Sequence, residues 1–254
     1  YIYYLNSFVP NQKKLTFLFF LSVLLSNVLY SQNFLKTSGR NIINQNGDTI
    51  VLRGIGLGGW MVQEGYMMAP GGFSGTQFQI RDKITDLIGE EETEKFYDNW
   101  LKNHVRKIDI DSMKSWGFNL VRVPIHYNLF TAPIEDELFP GSYTEIEKGY
   151  KLLDSLLEWC KANEMYMMID LHAAPGGQGY NADISDYDTS KYSLWESGAN
   201  QDKTVELWKR LSKRYKNEEW VAGYDLINEP NWNLPGNKLL KELYVRITDV
   251  IRAE

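Results

Sequence analysis

The sequence predicts an α/β fold, a parallel sheet covered by helices and laid out as the first four units of an eight-unit (β/α)8 barrel. Three observations lead there. Strand and helix patterns alternate four times. The strands are apolar throughout, as in parallel sheets buried on both faces. A doubly wound sheet would show the same alternation, but its phosphate turn is missing. Ile55-Gly56-Leu57-Gly58-Gly59-Trp60 lacks the dinucleotide spacing, and no helix follows at once.

In chain order, Phe34 to Leu52 reads as a β-hairpin that closes the bottom of the barrel. Asn46-Gly47 sits between two alternating stretches and suggests a type I′ turn. Residues 51–57 are the first strand, ending in glycines, and 60–75 a long loop rich in Gly, Met and Pro. From Thr76 to Trp116 the apolar spacing is helical, and Gly117 stops it. Residues 120–125 form the second strand and Glu145 to Asn163 the second helix. Met165 to Leu171 is the third strand, followed by a glycine-rich loop over 173–198 and a helix over 201–215. Val221 to Asn228 is the fourth strand, which Pro230 terminates for want of an N–H, and Asn237 to Arg252 the fourth helix. These units span roughly 200 residues, and an eight-unit barrel with such loops needs about twice that. The expectation is therefore the N-terminal half of a barrel at 32–254.

Residues 1–31 read differently. Lys13-Lys14 precedes the apolar run Leu15 to Leu25, which is interrupted at Ser26-Asn27. A basic start with about a dozen apolar residues fits a secretion signal peptide better than a spanning helix of about 20. The alternative is a retained anchor. A cleaved signal predicts a secreted, periplasmic or cell-surface protein without stable membrane insertion.

Composition narrows the function. The formal net charge is -6 and no basic block occurs, which argues against a nucleic-acid partner. Apolar residues make up 43%, enough for a sizeable core, and 8 Trp and 16 Tyr offer flat faces for sugars. The lone Cys160 forms no internal disulfide and no metal cluster. The 3 His lack zinc-ligand spacing, and no Ser stands on a Gly-x-Ser-x-Gly elbow. Neither a metal nor a cofactor is implied.

Strand ends carry the candidate chemistry, as in barrels generally. Arg122 lies among apolar residues on the second strand and needs a carboxylate partner. Met168, Asp170 and His172 share one face of the third. Asn228-Glu229 closes the fourth. Glu229 beside Ile227 and Trp232 should be desolvated, with a raised pKa suited to a general acid. Asn228 can hydrogen-bond a hydroxyl.

Four blocks in this order resemble glycoside hydrolase family 5, retaining β-glycanases on the TIM barrel. They are residues 53–60, 119–125, 170–176 and 224–230. The resemblance implies Glu229 as acid/base, Asn228 on the sugar 2-hydroxyl, His172 on the sugar at the cleavage site, and Arg122 orienting the nucleophile. Gly58-Gly59-Trp60, Glu64 and Tyr66 are similar to the exo-β-1,3-glucanase branch, although Gly65 stands where that branch has Pro. There Glu64 would bind a hydroxyl of the terminal sugar. Trp60, Tyr66 and Trp232 are the further substrate-binding candidates. The family's nucleophile is a glutamate on the seventh strand, which these four units do not reach, and none of Asp170, Asp225 and Glu196 matches it. The expected function is cleavage of O-glycosyl bonds in β-glucan-type polysaccharides or oligosaccharides. The alternative is a non-catalytic carbohydrate-binding barrel.

Overall fold

The computed structural model describes residues 34–68 and 75–254. The expected leader at 1–31 and part of the loop at 60–75 lie outside the described residues. Two short strands, β1 (Lys36–Ser38) and β2 (Asn41–Ile43), pair antiparallel, so a hairpin is present. Its tight turn is Gly39-Arg40, one turn earlier than expected, with Gly39 at φ 60°. Asn46-Gly47 lies in a second, wider turn closed by the bridge Ile43 to Thr49. Gly47 has φ 85° and Asn46 does not share the left-handed region, so this is not the type I′ turn, which needs two such residues. Asn44 closes it instead, its Oδ1 accepting from Asp48 N at 2.9 Å.

The main sheet contains β3 (Gly54–Gly56), β4 (Leu120–His126), β5 (Tyr166–Ala173) and β6 (Val221–Asp225). All neighbours are parallel and the order is sequential. Strands that follow one another in space as in sequence, each returned by helix, trace the arc of a (β/α) barrel; a doubly wound sheet would reverse direction partway. Val121, Val123, Ile125, Met167, Ile169 and Leu171 are buried on the helix side. The alternate positions, with Arg122, Asp170 and His172, are left for the interior.

The expected long helix over 76–116 is three: α1 (Gln77–Ile88), α2 (Glu90–Asn103) and α3 (Lys107–Ser115). Gly89 divides the first two because its φ of 81° breaks the ladder, while three glutamates suit the positive start of α2. A capping box opens α1, with Thr76 Oγ1 accepting from Gln79 N and Gln79 Oε1 from Thr76 N. Gly117, at φ 91°, ends α3 as expected. Gly117 N donates to Lys114 O and Phe118 N to Met113 O, the Schellman pattern.

Helices α4 (Glu147–Ala162), α5 (Gly198–Tyr215) and α6 (Lys238–Ala253) complete the outer layer. No described helix is long and apolar enough to cross a membrane. In α4 the buried residues are Gly149, Tyr150, Leu153, Leu156, Leu157 and Cys160, one stripe at helical spacing. Each fully buried Leu or Ile in this core contributes about 1.5–3 kcal/mol over exposure. Close packing also decides one glycine. A Cβ on Gly149 would stand 2.5 Å from Phe130 Cζ.

Candidate active site

The loops after β3, β5 and β6 and the interior side chain of β4 meet at the C-terminal ends of the strands. Register explains it. Pro124, Asp170 and Asp225 are level across three strands, and Arg122 lies one interior position below. The Arg122 side chain rises to that level. Its Nη2 is 3.0 Å from Asp170 Oδ2 and 2.7 Å from Asp225 Oδ2, and it donates to Asn228 Oδ1 at 2.8 Å. The carboxylates it holds are therefore Asp170 and Asp225.

Asp170 is fully buried, and its Oδ1 has no hydrogen-bond partner among the described residues. Burial raises its pKa, and the attraction of His172 and Arg122 does not fully offset that. His172 sits between two acids. Its Nδ1 is 2.7 Å from Asp170 Oδ2 and its Nε2 is 3.2 Å from Glu64 Oε1. Burial disfavours the cation, yet the two carboxylates outweigh it and lift the pKa to about 9. Glu64 is also buried; His172, Tyr66 and Arg122 overcome that burial and hold its carboxyl below the ordinary range. Tyr66 neighbours Glu64, and partial desolvation followed by that carboxylate pushes the phenol up to about 12.

The charged ring decides what Asn228 offers. Asn228 Nδ2 is 3.3 Å from His172 Nε2. An imidazolium has no lone pair there, so it accepts nothing. Arg122 fixes the amide by its oxygen. Asn228 Nδ2 is thus a buried, oriented donor available to a ligand oxygen.

Glu229 follows directly, and here the structure differs from expectation. The strand ends at Asp225, well before Pro230, and Asn228 N turns back to donate to Leu171 O at 3.0 Å. Glu229 has φ 41° and is exposed, so Ile227 and Trp232 do not desolvate it as expected. Its charge is felt at Tyr66 across the site. Trp232 is half-buried. One face stacks on Tyr180 at 4.1 Å and 10°, and Tyr187 meets it edge-on at 5.3 Å.

Trp60 also departs from expectation. It is 2% exposed, and its Nε1 donates to Leu101 O at 2.8 Å. That carbonyl is in the last turn of α2, where no helical N–H can reach it. Trp100 Nε1 donates in return to Gly59 O at 2.9 Å. Trp60 is therefore a core anchor of the β3–α1 loop and not a cleft wall. Tyr66, by contrast, is more than half exposed.

Several site-forming residues carry no motif of their own. Gln178 is fully buried beneath His172 and Asn228. Asp186, at φ 51°, accepts from His126 Nε2 and from Phe78 N, tying the β5–α5 loop to β4 and α1. The glycine run around Gln178 was the available signal for a closely packed loop. Gly176 has φ 79°, and a Cβ there would stand 2.2 Å from Asn200 Nδ2. Glu196 caps locally, accepting from Ser193 N and Oγ.

The chain is similar to known proteins over most of its length. A β-xylosidase of Phanerodontia chrysosporium is 38% identical over 198 residues, 78% of this chain and 39% of its own length. Glucan 1,3-beta-glucosidase 2 of Saccharomyces cerevisiae is 26% identical over 230 residues, 81% of this chain and 40% of its own. The chain thus spans less than half of these relatives. Among solved structures, the rutinosidase from Aspergillus niger superposes with a TM-score of 0.58 at 18% identity, over 78% of this chain and 59% of that one, and shows the shared fold. The cellulase family, glycosyl hydrolase family 5, matches residues 74–254. That span takes in three of the four sheet strands and every strand-end residue from Arg122 to Glu229, and on it the chain belongs to glycosyl hydrolase family 5, a family of glycosidases.

Proposed function

We propose that the full protein is an exported retaining glycosidase of β-glucan-type polysaccharides or oligosaccharides, and that residues 32–254 supply its acid/base and half of its sugar cleft. Glu229 protonates the glycosidic oxygen as its bond to the anomeric carbon breaks. As carboxylate it then takes a proton from the water that releases the sugar. Asn228 Nδ2 donates to the hydroxyl beside the anomeric carbon. His172, Glu64 and Tyr66 bind further hydroxyls, and the Trp232 face left uncovered by Tyr180 stacks on a sugar ring.

Retaining chemistry needs a second carboxylate about 5–5.5 Å from the acid/base. Of the acids near the site, Asp170 and Asp225 are engaged by Arg122 and Glu64 by His172. As the family resemblance implies, we assign the nucleophile to a strand outside these four. The names of the β-xylosidase and glucan 1,3-beta-glucosidase relatives support a β-linked substrate. The apolar run after Lys13-Lys14 supports export to the periplasm, cell surface or medium, without stable membrane insertion after cleavage. The net charge of -6 supports a glycan and not a nucleic acid as partner.

The observation that carries the reading is the oriented amide of Asn228 next to Glu229, held by Arg122 at 2.8 Å. Its test is Glu229→Gln in the full-length protein. The expected loss is about 10²–10⁴-fold on glycosides with poor leaving groups and far less on activated aryl glycosides. NMR of the first-formed sugar should show the β-anomer. Equal losses on both substrates, or the α-anomer, defeat this reading. A full-length protein that binds glycan without cleaving it is the carbohydrate-binding alternative.

A further inference from the structure

Glu229 occupies the left-handed region at φ 41°, where a residue with a Cβ is strained and persists only if its surroundings hold it. The peptide group before it sets that torsion, and the carbonyl of this peptide is Asn228 O. One side chain grips it. Gln178 Nε2 donates to Asn228 O at 2.9 Å and to His172 O at 2.6 Å. Its Oε1 accepts from Ala174 N at 3.1 Å. Two carbonyls on one side and an N–H on the other leave a single orientation for the amide. Gln178 is fully buried, and Trp195 Nε1 donates to its main-chain oxygen at 2.8 Å.

The neighbours of Gln178 continue the contact. A Cβ on Gly179 would lie 3.4 Å from Glu229 O, and Tyr180 N donates to Asn231 O at 3.0 Å. Residues 178–180 thus run along 228–231 as a template.

We propose that Gln178 is the positioning residue for Glu229: by pinning the Asn228–Glu229 peptide to the end of β5, it holds the acid/base in its strained backbone conformation at a fixed distance from His172. Gln178 touches no substrate and acts through Glu229. The inference rests on the acid/base reading of Glu229 given above.

The test is a leaving-group series on the full-length protein with Gln178→Met and Gln178→Glu. Met fills the space without donating. Glu keeps the shape and the Ala174 link, and stands in if the Met variant does not fold. Trp195→Phe is the control, since it loosens the same loop and leaves the Gln178 amide in place. The expected result is a loss of kcat of about 10- to 100-fold on poor leaving groups, with KM little changed and a much smaller loss on activated ones. Trp195→Phe should lower the melting temperature without changing that ratio. An unchanged ratio in the Gln178 variants, or an equal change in Trp195→Phe, overturns the proposal. Glu229→Gln separates the two readings. If it alone shows the leaving-group dependence, Glu229 is the acid and only the role of Gln178 falls. If it does not, the acid/base reading itself falls.

Discussion

Deprotonating His172 removes the cation between two buried carboxylates, and folding should register the loss. The side chain is 9% exposed, so solvent screens it little. Its pKa is raised from an ordinary 6.5 to about 9. At ~1.36 kcal/mol per pH unit, that displacement is worth roughly 3 kcal/mol. The folded pKa lies above the unfolded one, so the native state binds more protons in this window. The stabilisation is therefore complete below pH 6.5 and is lost as pH rises through 9, with a slope approaching ~1.4 kcal/mol per pH unit. The assay is urea unfolding of the wild type and His172→Gln between about pH 6 and about pH 10, where Gln cannot titrate. The wild-type curve should fall toward that of the variant by roughly 3 kcal/mol. NMR of the ring carbons should place the midpoint near the upper end of the window. Parallel curves, or a midpoint below pH 7, would refute the two-carboxylate argument.

Arg122→Met should destabilise by about 1–3 kcal/mol at neutral pH through Asp170, which stays buried with His172 as its remaining cationic partner; the Asp225 arm, a third exposed, adds little. Because the Asp170 pKa is already raised, it will rise further, so the gap to wild type should shrink as pH falls, and a gap that widens in acid would contradict this. Trp60→Phe should cost about 1–3 kcal/mol from the lost bond to Leu101 O and the smaller ring, with glycan affinity measured by calorimetry unchanged. A selective loss of affinity would return Trp60 to the cleft.

Much of the scaffold was legible in the chain because its signals are local. Apolar runs at 120–125 and 165–171, the stripe of α4 and the Gly117 stop depend on residues within a few positions of one another. The pairing of an amide and an acid at 228–229 is likewise written in sequence, and so is an arginine too deep in a strand to lack a carboxylate. The division of 76–116 at Gly89 was missed because the apolar spacing runs on across a glycine that only its φ of 81° reveals as a break.

The stretch Tyr224 to Pro230 marks where the two levels part. Sequence by itself determined the fold class and the strand order, since these follow from period, composition and turn chemistry. Tertiary structure alone decided that Asp170 and Asp225 share Arg122, that Trp60 caps a helix and does not face a sugar, and that Gln178 grips Asn228 from 50 positions away. The reason is physical. A buried charge, an orphan carbonyl or a strained torsion takes its partner from whatever the fold brings within about 3 Å, and that distance has no counterpart along the chain.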